Sequence, residues 1–152
     1  MTDKFQPRCA HWEQRVRDSF DRQQVMKTLR VTLESLSPGE VRLTIPYQPT
    51  LTQQHGFLHA GIVSTVLDSA CGYAAFTLMP EEAAVLSIEF KINLLAPARG
   101  EEFRAVGNVV KPGRNITVVE GKLLAYQEGK EKLVATMVAT MMAVYGREEI
   151  RD

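Results

Sequence analysis

The chain has 152 residues, and 18 Lys+Arg balance 18 Asp+Glu to a formal charge of zero. That length suits one domain with a sizeable core, and 45% hydrophobic with 24% charged residues is an ordinary globular composition. The neutral balance argues against a nucleic-acid partner, which needs a basic excess. Two cysteines, Cys9 and Cys71, build neither a disulfide framework nor a zinc site. The first seventeen residues lack the apolar core and cleavage site of a signal peptide, so a cytoplasmic location is expected.

From Pro7 to Thr28 the apolar residues Trp12, Val16, Phe20 and Val25, with Met26 beside the last, recur at spacings within three to five positions among charges. This spacing predicts one or two amphipathic helices, an N-terminal helical extension over residues 1–28. Leu29 to Leu36 alternates, with Leu29, Val31, Leu33 and Ser35 on one face, and Ser37-Pro38-Gly39 sets Pro and Gly at the centre of a type II turn. Glu40 to Tyr47 alternates again and completes a hairpin. A polar loop through Gln53, Gln54 and His55 leads to Gly56.

Ala60 to Met79 carries one charge, Asp68, in twenty residues. It is long enough to span a bilayer. Yet Asp68 would sit near the bilayer centre, costing about 2.5–3.5 kcal/mol, and no basic cluster flanks the segment. The reading is a buried core helix, no membrane partner, ended by Pro80. Strands then follow over Val85–Leu95, Glu102–Lys111, Asn115–Gln127 and Leu133–Tyr145, separated by Pro- and Gly-containing turns. Short connections make the sheet mostly antiparallel. The expected class is α+β: a long antiparallel sheet wrapped around one apolar helix. One sheet cannot cover such a helix on every side, so self-association as a homodimer is expected.

The polar groups that stand out are Gln53, His55, His59 and Asp68. A carboxylate in an apolar helix is rare unless paired or functional; bonding to Ser64, Thr65 or Ser69 is the purely structural alternative. His59 opens the helix, where free N–H groups and the dipole favour negative charge. With Ala60 and Gly61 small enough for close approach, that terminus can stabilise a carbonyl oxyanion. His55 and His59 have a zinc-compatible spacing but no evident third ligand, so no metal is expected. Cys71 reads as an inert core thiol. From Ala60 to Asp68 is eight residues, roughly 12 Å along a helix. One bound carbonyl therefore cannot touch both on one chain, whereas two antiparallel helices across a dimer bring them together.

The run Gln53-Gln54-His55-Gly56-Phe57-Leu58-His59-Ala60-Gly61, with Asp68 nine residues after His59 and Phe90–Ala98 beyond the helix, resembles the hotdog-fold acyl-CoA thioesterases. The similar subgroup is the phenylacetate-degradation type, related to the 4-hydroxybenzoyl-CoA thioesterases. The resemblance implies a single hotdog domain over residues 1–152, with no cofactor. It further implies a homodimer, with pairing into a homotetramer as a larger assembly. It makes the Ala60 N–H the group that polarises the thioester carbonyl and Asp68 of the other subunit the nucleophile or general base. His59 and Gln53 would orient thioester or water, with Gly61 beside the substrate and Ser87 near the water. Lys111, Arg114 and Asn115 fall where relatives contact the coenzyme A nucleotide. The usual His-Gly-Gly is His59-Ala60-Gly61 here, and Gly72 stands where some relatives carry a hydroxyl one turn after the carboxylate.

The leading expectation is hydrolysis of acyl-CoA to a carboxylic acid and free coenzyme A. A hotdog dehydratase or hydratase, and a non-catalytic acyl-CoA-binding module, are the alternatives; fold alone does not separate them.

Overall fold

The computed structural model describes residues 4–150 and Asp152. Residues 1–3, the start of the expected N-terminal extension, and residue 151 lie outside the described part. Two helices open the chain, α1 (Trp12–Arg22) and α2 (Gln24–Thr28). The buried side of α1 is Arg15, Val16, Ser19 and Phe20, two adjacent i,i+4 pairs on one face. Helix α2 buries Met26.

The first strand begins three residues later than its alternation suggests. Arg30 takes a left-handed φ of 57°, and the Val31 N–H bonds back to the Met26 carbonyl at 2.9 Å. Leu29, Arg30 and Val31 thus close a Schellman-type helix end, leaving β1 as Thr32–Ser37. Its register shifts between Leu33 and Ser35. This bulge moves Leu36, not Ser35, into the inward position beside Leu33. Gly39 has φ 82°, as the type II turn requires, and leads into β2 (Glu40–Pro46).

Helix α3 (Ala60–Phe76) follows a short 3-10 turn and the polar loop. It stops three residues short of the Met79 end expected from hydrophobicity. Thr77 takes over there: its hydroxyl donates to the Ala74 carbonyl at 2.7 Å and accepts the Gly39 N–H at 2.8 Å. Leu78 and Met79 remain buried, but in a turn. The apolar run reports burial; the helix itself ends where the Leu78 and Met79 N–H groups fall back to the Ala75 and Phe76 carbonyls at 3.1 and 3.2 Å, and Pro80 has no N–H to extend it.

Strands β3 (Ala84–Leu94), β4 (Glu102–Lys111), β5 (Ile116–Gln127) and β6 (Lys130–Val144) complete one six-stranded sheet in the order β1-β2-β4-β5-β6-β3. Every pairing is antiparallel. This is the hotdog architecture. The concave face buries Leu43, Ile45, Phe103, Leu123 and Met137 against α3, each contributing about 1.5–3 kcal/mol relative to exposure. Gly107 and Gly121 pair across β4 and β5 beneath the helix. A Cβ on Gly107 would lie 2.4 Å from the Ala70 carbonyl oxygen, so the missing side chain sets how closely α3 seats.

Cover for α3 is incomplete. The sheet takes one side and α1 another, where Phe20 meets Tyr73 edge-on at 5.8 Å. A third flank carries Gly61, Ser64, Thr65, Asp68 and Gly72, all exposed or half-buried. Beside it, edge strand β3 leaves Leu86, Ile88 and Phe90 41–50% exposed. No helix among the described residues is long and apolar enough to cross a membrane.

Candidate active site

The loop before α3 is pinned at three points. The Leu58 N–H bonds to the Ala98 carbonyl at 3.1 Å, the His59 N–H to the Leu51 carbonyl at 2.9 Å, and the Gln53 N–H to the Phe57 carbonyl at 2.9 Å. Gly56, at φ 80°, makes the tight return possible. The Gln53 side-chain oxygen accepts the His55 N–H, so it holds the loop while Gln53 also lines the neighbouring cavity.

His59 is the N-cap of α3. Its Nδ1 accepts the Gly61 N–H at 2.8 Å, which in the neutral ring places the proton on Nε2. Gly61 allows this fold-back, since a Cβ there would press to 3.1 Å from Nδ1. The Ala60 N–H, at the exposed head of the helix, has no acceptor among the described residues. It is the free donor where the helix dipole is most positive. Ser64 and Thr65 turn their hydroxyls back to the Ala60 and Gly61 carbonyls, both at 2.8 Å, and so are not the partners of Asp68. Against this terminus lies a cavity of about 400 Å³, lined mainly by apolar groups that include Phe57, Val63, Leu94 and Leu95.

Asp68 sits eight residues farther along the open flank. Ser87 donates to its Oδ1 at 2.6 Å and lies 3.3 Å from the Met141 sulfur. A register shift between Ser87 and Glu89 bulges β3 there; such a bulge re-aims a side chain, and here it sets Ser87 against α3. Asp68 and Ser87 line a polar recess of about 210 Å³ together with Gly72, Tyr73, Gln23 and Ser19. Burial holds the Tyr73 phenol above its ordinary pKa. The Cys71 thiol behind Asp68 is pushed up to about 12, first by burial and then by the Asp68 charge. A thiol so raised is no nucleophile at neutral pH.

The turn between β4 and β5 holds Arg114 and Asn115, with Lys111 at the end of β4; all three are exposed. Tyr145 donates to the Arg114 carbonyl at 3.3 Å, and the Ala143 N–H to the Asn115 carbonyl at 2.8 Å. Arg8 bridges this turn to the one that follows α3, donating to the Gly113 carbonyl at 3.2 Å and the Leu78 carbonyl at 3.0 Å. Within one chain these residues therefore lie at the C-terminal end of α3, opposite Ala60.

Three residues of the extension escaped the sequence reading: Arg15, Ser19 and Gln23. Arg15 is buried, spans the Phe76 ring at 4.0 Å and donates to the Met79 and Ala83 carbonyls. Its place on the apolar stripe of α1 was the available signal. Gln23 and Ser19 carried none, because their partners Ser69 and Tyr73 are 46 and 54 residues away.

The sequence pattern of the thioesterase superfamily matches residues 55–132, about half the chain, from His55 through the helix to β6. A crystal structure of a thioesterase family protein from Silicibacter pomeroyi is 61% identical and superposes with a TM-score of 0.88, covering 89% of this chain and 99% of that one. A Halobacterium salinarum protein carrying an esterase name is 37% identical over 63% of this chain and 66% of its own length, so the chain spans about two thirds of that relative. Human acyl-coenzyme A thioesterase 13 is 28% identical over 66% of this chain and 72% of its own. With the matched segment containing the capped helix head and Asp68, and a relative this similar over nearly its whole length, the chain belongs to the thioesterase superfamily.

Proposed function

We propose that the chain hydrolyses acyl-CoA thioesters at sites shared between two copies. The observation that carries this reading is the pairing of a Ser87-held Asp68 with an unengaged Ala60 N–H on one open flank of one helix. Eight residues separate them, roughly 12 Å, so one thioester carbonyl engages both only if the second group belongs to a partner chain. The exposed Leu86, Ile88 and Phe90 of edge strand β3, beside that flank, support a homodimer joined along this edge.

In this reading the thioester carbonyl rests on the Ala60 N–H of one copy, and water stands at Asp68 of the other. Asp68 takes a proton from water as the oxygen bonds to the carbonyl carbon. The oxyanion is held by the Ala60 N–H and the helix dipole. Its collapse breaks the carbon–sulfur bond, and the departing thiolate receives the proton from Asp68, leaving carboxylic acid and coenzyme A. Ser87 fixes one carboxylate oxygen, and His59 presents the helix head by capping Gly61. Gln53 holds the loop. Lys111, Arg114 and Asn115 are assigned to the coenzyme A nucleotide, and no metal or organic cofactor takes part. The similarity to acyl-coenzyme A thioesterase 13 supports coenzyme A as the thiol carrier.

The test is a panel of acyl-CoA substrates of different chain length and aromaticity, with thiol release followed by a thiol reagent. Turnover of at least one is expected. Tight binding of acyl-CoA with no thiol release would identify a binding module instead.

A further inference from the structure

Gln23 occupies the break between α1 and α2, where an extended backbone (φ −75°, ψ 99°) ends one helix and opens the next. Buried Phe20 and Met26 anchor the two sides of this elbow. The side chain of Gln23 reaches α3, where its Oε1 accepts the Ser69 hydroxyl at 3.0 Å. A carbonyl oxygen has two lone pairs, and Ser69 uses one.

Gln23 and Asp68 line the same recess. Ser87 holds Asp68 Oδ1, whereas Oδ2 has no hydrogen-bond partner among the described residues. Gly72, one turn beyond Asp68, adds nothing to the space, and a Cβ there would meet no atom within 4 Å. The recess is polar and roomy. A water is held in such a place by two to four polar partners, and Asp68 alone supplies one free oxygen.

We propose that Gln23 is a positioning residue for the hydrolytic water. The water donates one hydrogen bond to Asp68 Oδ2 and the other to Gln23 Oε1, which leaves a lone pair facing the open side, where the thioester carbonyl stands. Asp68 takes the proton as the new carbon–oxygen bond forms, and Gln23 neither gains nor loses one. Ser69 is the pin that keeps the amide turned this way. The inference rests on the thioesterase reading and adds to it the part played by the N-terminal extension.

The test combines crystal structures, at a resolution that orders water, of the parent and Gln23→Ala with kinetics on a hydrolysed acyl-CoA. The parent is expected to hold a water bonded to both Asp68 and Gln23, and Gln23→Ala to lose it. In that variant kcat should fall roughly ten- to a hundredfold with KM little changed, as for misplacement of a reacting group. Ser69→Ala should give a smaller loss that does not add to that of Gln23→Ala. A parent structure in which no water bridges Asp68 and Gln23 overturns the proposal. So does Gln23→Ala that loses thermal stability but keeps its kcat, since that is a merely structural elbow. A bridging water in a protein inert toward every acyl-CoA upholds the water site and removes the thioesterase reading.

Discussion

The hydroxyl of Ser87 donates to Asp68 Oδ1 at 2.6 Å, joining an edge strand to the central helix across nineteen residues of sequence. A hydrogen bond to a carboxylate is charge-assisted and short. It fixes one oxygen of Asp68 and leaves the other facing the recess. That arrangement makes the carboxylate the first residue to change.

Asp68→Asn keeps the shape and can still accept the Ser87 hydroxyl through its amide oxygen. Acyl-CoA binding should persist while kcat drops by roughly 10²-fold or more, the loss expected for a positioned base or nucleophile. Steady-state kinetics alongside binding measurements check this. A variant within a few-fold of the parent would exclude the carboxylate from the reaction.

Shared sites predict complementation. Ala60→Pro removes the N–H proposed to polarise the carbonyl, at the first helical position, where Pro is well tolerated. Mixed and refolded with Asp68→Asn chains, each inactive alone, it should recover partial activity, because one heterodimer site carries both intact groups. Heterodimers that form but stay inactive would place the whole site within one chain.

The seat of α3 is a packing prediction. Gly107→Ala directs a Cβ toward the Ala70 carbonyl, 2.4 Å away, where backbone and not a pliable side chain must give. A loss of about 1–3 kcal/mol is expected, read as a lower denaturant midpoint with an unchanged m-value. Equal stability of Gly107→Ala and the parent would mean that the helix can shift off the sheet at no cost.

The buried thiol gives a pH signature. Cys71 titrates at about 12 in the fold against 9.0 for a free thiol. The protonated thiol is the form the fold prefers, so its contribution is full below pH 9 and lost as pH rises toward 12. In a Cys9→Ser chain at pH 8, a thiol reagent should leave Cys71 unmodified until denaturant is added. Rapid modification of the native chain would show that the thiol is accessible and ionised.

Arg114 tests the nucleotide assignment. Arg114→Ala should raise KM for acyl-CoA and leave kcat nearly unchanged, the pattern of lost uniform binding. The penalty should shrink with added salt and vanish for a truncated thioester without the nucleotide. The same penalty on the truncated thioester would assign Arg114 to the acyl side or to the fold.

Local signals in the chain were sufficient for the elements themselves. Period-two alternation marked the strands, Pro38-Gly39 their first turn, and a twenty-residue stretch with one charge the central helix, because each depends on neighbours within a few residues. A lone charge in an apolar helix also singled out Asp68, and the free N–H groups at the start of that helix singled out His59 and Ala60 as candidates. Tertiary structure decided the rest. The bulge that turns Ser87 toward Asp68 arises from pairing with Met141 and Thr140, more than fifty residues away. The Thr77 hydroxyl at the end of α3 finds the Gly39 N–H only through the fold, across 38 residues. Gln23 and Arg15 acquire their roles only when the extension docks on α3. Strand order, which sends β3 to the edge beyond β6 and leaves its Leu86, Ile88 and Phe90 and one helix flank uncovered, follows from which long-range pairings bury the most apolar surface. No local periodicity encodes that choice.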